Sequence, residues 1–222
     1  GEEDSMYKVI TGIELFRGIE EEELTGLLNS ITMREKRFKA GALIGHDGIS
    51  PRALCIILDG KIEARKYLRS GKVVYLKPFG NGDVFGAGNL FSRQPIRLSY
   101  IEVIRDSRIC IIEETEILKL FELSKQVLIN YLAMMSSKVQ YLNHKIDILS
   151  QNTIEERLIF YIEEQQQIQG SSSITINHSK SELAELLGIS RTSLYRVIDE
   201  LTSRGVFNWK KNKVYFPSDK IF

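Results

Sequence analysis

The sequence predicts an α+β fold built in three consecutive parts. A β-rich N-terminal domain comes first, a single long helix second, and a small helical head with a terminal hairpin third. Three observations predict it. Between Thr32 and Glu113, short β-branched and apolar runs alternate with turn residues. From Leu128 to Leu149, apolar residues recur in steps of four and three. From Ser179 to Arg204, two short helical patterns flank Gly188.

At 222 residues the chain can form one large domain or two. Gly1 to Ser5, ahead of Met6, are left outside the fold reasoning. The pattern from Gly18 to Ser30 suggests a short helix with Leu24, Leu27 and Leu28 inward, and the acidic run Glu20–Glu23 suits its first turn. The expected strands are Thr32–Phe38, Ala42–Ile44, Ala53–Leu58, Lys61–Leu68, Val73–Pro78, Val84–Phe85, Leu98–Ile104 and Ser107–Glu113. Asp59-Gly60, Ser70-Gly71, Asn81-Gly82-Asp83 and Arg105-Asp106 punctuate them. So many short strands argue for a barrel-like or sandwich domain.

Cys55 and Cys110 sit in the apolar runs ALCIIL and RICII, where a thiol serves as a small buried hydrophobe. A disulfide between them stays open at this point. Two cysteines cannot supply the four thiolates of a typical iron–sulfur cluster, so none is expected. No apolar run approaches the ~20 residues of a membrane span, and no secretory signal is visible. The cytoplasm is the expected location.

Glu113-Glu114-Thr115 starts a short helix through Leu123. Leu128, Leu132, Met135, Val139, Leu142, Ile146 and Leu149 then form an unbroken seam over about three heptads, the pattern of a coiled coil. A homodimer through residues 128–149 follows; a helix packed on its own domain is the alternative. Ser150-Gln151-Asn152 breaks the seam as a hinge. Thr153 and Glu156 form a capping-box pair, and Ile154, Leu158, Tyr161 and Ile162 make the next helix amphipathic. Gly170 to Ser173 ends it, and Ile174-Thr175-Ile176 is a short strand.

In the head, Ser179 and Glu182 form a second capping box, and Gly188 follows the first helix where a left-handed residue is wanted. Ser190 caps the second helix, whose Leu194, Val197, Ile198 and Leu201 face inward. Arg191, Thr192, Tyr195 and Arg196 fall on another side. This is the helix-turn-helix layout, whose second helix enters the DNA major groove. An arginine can bond guanine O6 and N7 together, and a threonine can contact several bases. Val206–Trp209 and Lys213–Phe216 read as a hairpin with Lys210 and Lys211 at its tip, a wing suited to phosphates. Double-stranded DNA is therefore the expected partner. Net charge is only +1, but the head concentrates Lys180, Arg191, Arg196, Arg204, Lys210, Lys211 and Lys213. DNA contacts are assigned to Ser190, Arg191, Thr192, Tyr195, Arg196, Lys210 and Lys211.

This winged helix resembles that of the cyclic-AMP receptor and fumarate-nitrate regulator (Crp/Fnr) family of bacterial transcription factors. The stretch GDVFGAGNLF, Gly82 to Phe91, in turn resembles the phosphate-binding cassette of cyclic-nucleotide-binding domains. The resemblance implies an N-terminal cyclic-nucleotide-binding-like β-roll (a double-stranded β-helix) over 6–123. It also implies a dimerisation helix over 124–149 and a winged helix-turn-helix over 150–222. It places effector contacts at Gly86, Ala87, Gly88, Asn89, Arg97, Leu98 and Ser99, with Leu142 and Asn143 on the long helix. Arg97 falls where the family's phosphate-pairing arginine stands. Ala87 replaces the family's ribose-binding Glu, and Leu98 replaces a phosphate-binding Ser. A site that has lost such partners loses its discrimination, which argues against cyclic AMP. RNA polymerase is an implied partner.

Two regulator readings follow. In one, an unidentified small-molecule effector controls DNA binding on a palindromic operator. In the other, the N-terminal domain is only structural and dimerising. An enzyme is not expected, because no nucleophile, base and oxyanion constellation is present. His46, His144 and His178 lack metal-ligand spacing, although His46 or His144 as a haem ligand stays open within the family.

Overall fold

A computed structural model describes residues 2–44, 49–67, 73–94 and 100–217. The chain forms two compact units, 1–137 and 138–222, and the boundary falls within one helix.

The first unit opens with α1 (Glu2–Thr11) and α2 (Glu21–Asn29). A helix at Glu2 corrects the exclusion of the first five residues from the fold. Leu24, Leu27 and Leu28 of α2 are buried, as their spacing predicts. The strands follow: β1 (Arg34–Phe38), β2 (Leu43–Ile44), β3 (Ala53–Tyr67), β4 (Val73–Phe79), β5 (Val84–Phe85) and β6 (Tyr100–Glu113). They form one antiparallel sheet, with the path β1-β6-β3-β4, β2 beside β6, and β5 beside β3.

Two expected turns are absent. Asp59-Gly60 and Arg105-Asp106 lie inside the long strands β3 and β6, which pair along nearly their full length. The register shifts at Asp59 and Lys61, so these residues form bulges that bend the sheet. Gly60 is required there. Its φ is +132°, and a Cβ would stand 2.0 Å from Ser107 Oγ. A bulge uses the same glycine and aspartate vocabulary as a turn, so local sequence does not separate the two. Ser70-Gly71 lies outside the described residues.

Strand alternation sends side chains to two cores. Leu54, Ile56, Leu58, Cys110 and Ile112 face the helices, with Leu15, Phe16, Ile117 and Leu120. Ala53, Cys55, Ile57, Ile109 and Ile111 fill the other face, with Phe38 and Val103. Burial on both faces explains why these strands are apolar without alternation. It also settles the cysteines: they lie on opposite faces and are free thiols. Burial pushes both up to about 12.

After α3 (Glu114–Leu123) comes α4 (Lys125–Leu149), one continuous helix. It carries a stripe that the heptad count missed. Val127 and Tyr131 are buried in the helix-side core, with Met134 and Met135 partly buried against it. The seam counted from sequence therefore gives Met135 to its own domain. Leu132, Val139, Leu142 and Ile146 stay exposed.

The second unit adds α5 (Ile154–Gln169), β7 (Ser173–Thr175), α6 (Lys180–Leu187), α7 (Arg191–Ser203), β8 (Asn208–Lys210) and β9 (Lys213–Tyr215). Thr153 and Glu156 close the expected capping box ahead of α5. Leu158, Tyr161, Ile174, Leu183, Leu187, Leu194, Val197 and Leu201 share one core with Ile148 from the end of α4. The hairpin gains a third strand, with order β7-β9-β8. No helix among the described residues is long and apolar enough to cross a membrane.

Candidate nucleic-acid interface and sensor cassette

Ser179 caps α6: its Oγ accepts from Glu182 N at 3.2 Å while Ser179 N donates to Glu182 Oε2 at 2.8 Å. Gly188 ends the helix with φ +67°. A Cβ at Gly188 would stand 2.8 Å from Leu149 Cδ2, so the glycine serves both the left-handed turn and a close packing contact. Ala184, 2% exposed, is the small residue in the helix–helix core. Arg157 from α5 holds the corner from beneath. It donates to Leu187 O at 3.2 Å and to Gln151 O, in the link between α4 and α5, at 3.3 Å. A cation there complements the negative end of α6. Sequence reading did not single out Arg157, since nothing local marks an arginine that reaches 30 residues along the chain.

α7 buries Leu194, Val197, Ile198 and Leu201 and turns the rest outward. Arg191, Thr192, Tyr195 and Arg196 are all exposed on its first two turns, so the structure brings these predicted residues together on one surface. Ser190 is exposed too, but its hydroxyl already caps α7, accepting from Ser193 N at 3.1 Å. Lys210 and Lys211 are exposed at the tip of the wing. Lys211 takes φ +55°, a conformation in which glycine is usual, and Trp209 Nε1 donates to its carbonyl at 3.0 Å.

In the first unit, Gly86 has φ +84°, and a Cβ there would meet Ala53 O at 2.3 Å. Ala87, Gly88 and Asn89 follow in one 3-10 turn, closed by Asn89 N donating to Gly86 O at 2.9 Å. Ala87, at the family's Glu place, is 8% exposed and packs in the core with Leu54, Ile56 and Leu90. A carboxylate in that apolar setting would carry a desolvation cost, so the position does not fit a ribose acceptor. Arg97, Leu98 and Ser99 lie outside the described residues, as does His46. Leu142 and Asn143 are exposed on α4.

Sequence reading missed the groups that tie the cassette to α4. Tyr131 Oη donates to Ala87 O at 3.1 Å. The rings of Phe91, Phe121 and Tyr131 lie 5.2–5.9 Å apart, and Phe91 takes φ +60°. Burial, then the nearby Glu114 carboxylate, raises the Tyr131 hydroxyl, so it stays a neutral donor. Among the other histidines, His144 pairs with Glu164, and His178 Nδ1 lies 2.8 Å from the buried Tyr161 hydroxyl. No group of three or more His, Cys, Asp or Glu side chains among the described residues is placed to hold a metal.

An exposed arginine-bearing helix beside a basic wing, on a chain that also carries a β-roll, defines a DNA-binding regulator. The comparisons agree. Residues 35–124 match the cyclic nucleotide-binding domain family, and residues 156–217 match the Crp-like helix-turn-helix domain. The chain is similar to the probable transcriptional regulator flp of Lacticaseibacillus casei, 23% identical over 189 residues that span 85% of this chain and 84% of that one. It is similar to the cyclic AMP receptor protein of Thermus thermophilus, 26% identical over 203 residues and 88% of each chain. The crystal structure of the Thermus thermophilus catabolite activator protein shares the fold with a TM-score of 0.55 and 24% identity, over 92% of this chain and 93% of that one. The chain belongs to the Crp/Fnr family of transcription regulators.

Proposed function

We propose that the protein is a homodimer that reads a two-fold-symmetric operator and that its N-terminal domain transmits a signal to the head. One observation carries the dimer. Leu132, Val139, Leu142 and Ile146 are 48–61% exposed along one line of α4. An apolar seam of this spacing is covered by a second copy of the same helix. Two recognition helices held on one axis suit half-sites about 34 Å apart. Arg191 and Arg196 read base edges, Thr192 and Tyr195 touch bases or phosphates, Ser190 contacts the backbone, and Lys210 and Lys211 contact phosphates. The effector acts through the hinge near Asn152, where Arg157 already links the hinge to α6.

Cyclic AMP is not the effector in this reading, because Ala87 offers no ribose acceptor and is buried among apolar side chains. RNA polymerase is the partner on DNA, and the cytoplasm is the place of action. A second reading, control without an effector, is favoured by the Tyr131–Ala87 bond, which fastens the cassette to α4 with the protein's own atoms.

Selection of bound fragments from random DNA tests the first reading. It expects a palindromic site and an Arg196→Ala protein that loses the site more than it loses random duplex. An equal loss on both would remove Arg196 from base reading. Calorimetric titration with cyclic nucleotides and common metabolites separates the two readings.

A further inference from the structure

Lys180, the first residue of α6, sits in an unusual place for a cation. Its Nζ lies 3.5 Å from the centroid of the Trp209 ring on the wing. The side chain is half-buried, and burial alone lowers its ammonium to about 8. The positive end of α6 opposes it as well. The titratable groups on the surrounding elements are Glu182 and Glu185 of α6, His178 ahead of it, and Lys210, Lys211, Lys213 and Tyr215 of the wing. Glu182 is engaged in the capping box, and His178 faces Tyr161. The charged side chains of the wing are all lysines. What favours the ammonium is the face of the indole. That indole is itself fixed, by its bond to Lys211 O at 3.0 Å and by an edge contact with Phe207 at 6.0 Å. A half-buried ammonium resting on an indole face is favoured further by a nearby anion.

We propose that Lys180 and Trp209 form a clamp that docks the basic wing onto the first helix of the helix-turn-helix and presents the Lys180 ammonium to a DNA phosphate. The wing and the recognition helix then grip the duplex as one piece. The inference rests on the reading of α6, α7 and the wing as the DNA-contacting face. Trp209 is a positioning residue in it. Phosphate proximity stabilises the protonated form of Lys180, so DNA binding takes up a proton above the free ammonium's own pKa.

The chain has one tryptophan, so indole emission reports the clamp directly. The test uses the full-length protein and a mixed-sequence duplex about three helical turns long. In the free protein, emission should pass through a transition near pH 8 that is absent from Lys180→Met and Lys180→Arg. Saturating duplex should move the wild-type transition up by about one pH unit or more. Between the free and the DNA-bound transitions, wild-type affinity should fall by up to about tenfold per pH unit, while Lys180→Arg stays flat. Trp209→Leu should reduce the salt dependence of binding by about one phosphate contact or more. The clamp is overturned if emission ignores pH, if duplex leaves the transition in place, or if wild type and Lys180→Arg share one pH course. Failure of the wild type to bind any duplex is a different result: it removes the DNA-contacting face itself, while the free-protein titration still reports whether the ammonium sits on the ring.

Discussion

Ile146→Glu should abolish the proposed dimer, and the exposure of the seam sets the size of the effect. Ile146 is 61% exposed in one chain, with Leu132, Val139 and Leu142 close behind. Full burial of such a side chain contributes roughly 1.5–3 kcal/mol, so each half-exposed residue offers about 1 kcal/mol to a partner. Four residues on each of two chains then offer about 8 kcal/mol, before the cost of association is subtracted. A glutamate at position 146 removes the burial of two isoleucines and places two like charges in the seam. The combined loss is about 4 kcal/mol, roughly a thousandfold in the dimer constant. Sedimentation velocity across a concentration series reads this, with far-UV circular dichroism as the check that the exposed site leaves the fold intact. A variant with an unchanged dimer constant would refute the seam as the interface.

Three further outcomes test the rest. Gly86→Ala forces a left-handed residue against Ala53 O at 2.3 Å. A loss of about 3 kcal/mol in denaturant unfolding of the N-terminal unit is expected, and a loss below about 1 kcal/mol would show that the cassette turn relaxes freely. Ser179→Ala removes the α6 cap and should cost about 1 kcal/mol of stability in thermal melts, with weaker duplex binding. The Arg108 guanidinium, which bonds both carboxylate oxygens of Glu35 at 3.0 Å, holds Glu35 below its ordinary value of 4.5. The folded-state pKa is depressed, so the pair's contribution is complete above the ordinary value and is lost as pH falls through the lowered one. Glu35→Gln should therefore flatten the acid decline in stability below about pH 5, and an acid limb identical to wild type would contradict it.

The head was legible because its signals are local. A capping box needs two residues three apart, a left-handed helix end wants a glycine, and an amphipathic helix repeats every three or four positions. Ser179, Glu182, Gly188 and the buried face of α7 are therefore written in the chain itself, and the exposed Arg191 and Arg196 follow from them. The departure at Ala87 was legible for the same reason, since one residue replaces another in a short motif. Tertiary structure decided what depends on residues distant in sequence. Whether Asp59-Gly60 turns or bulges depends on the pairing of β3 with β6, about 45 residues away. Cys55 and Cys110 fall on opposite faces because the register sets Cys55 beside Ile111. Tyr131 became the tether of the cassette, Arg157 the support of the end of α6, and Lys180 the partner of Trp209, through contacts that no local pattern encodes. A chain carries its own periodicity and caps, but a side chain that bonds across the fold acquires its role only when packing brings its partner within reach.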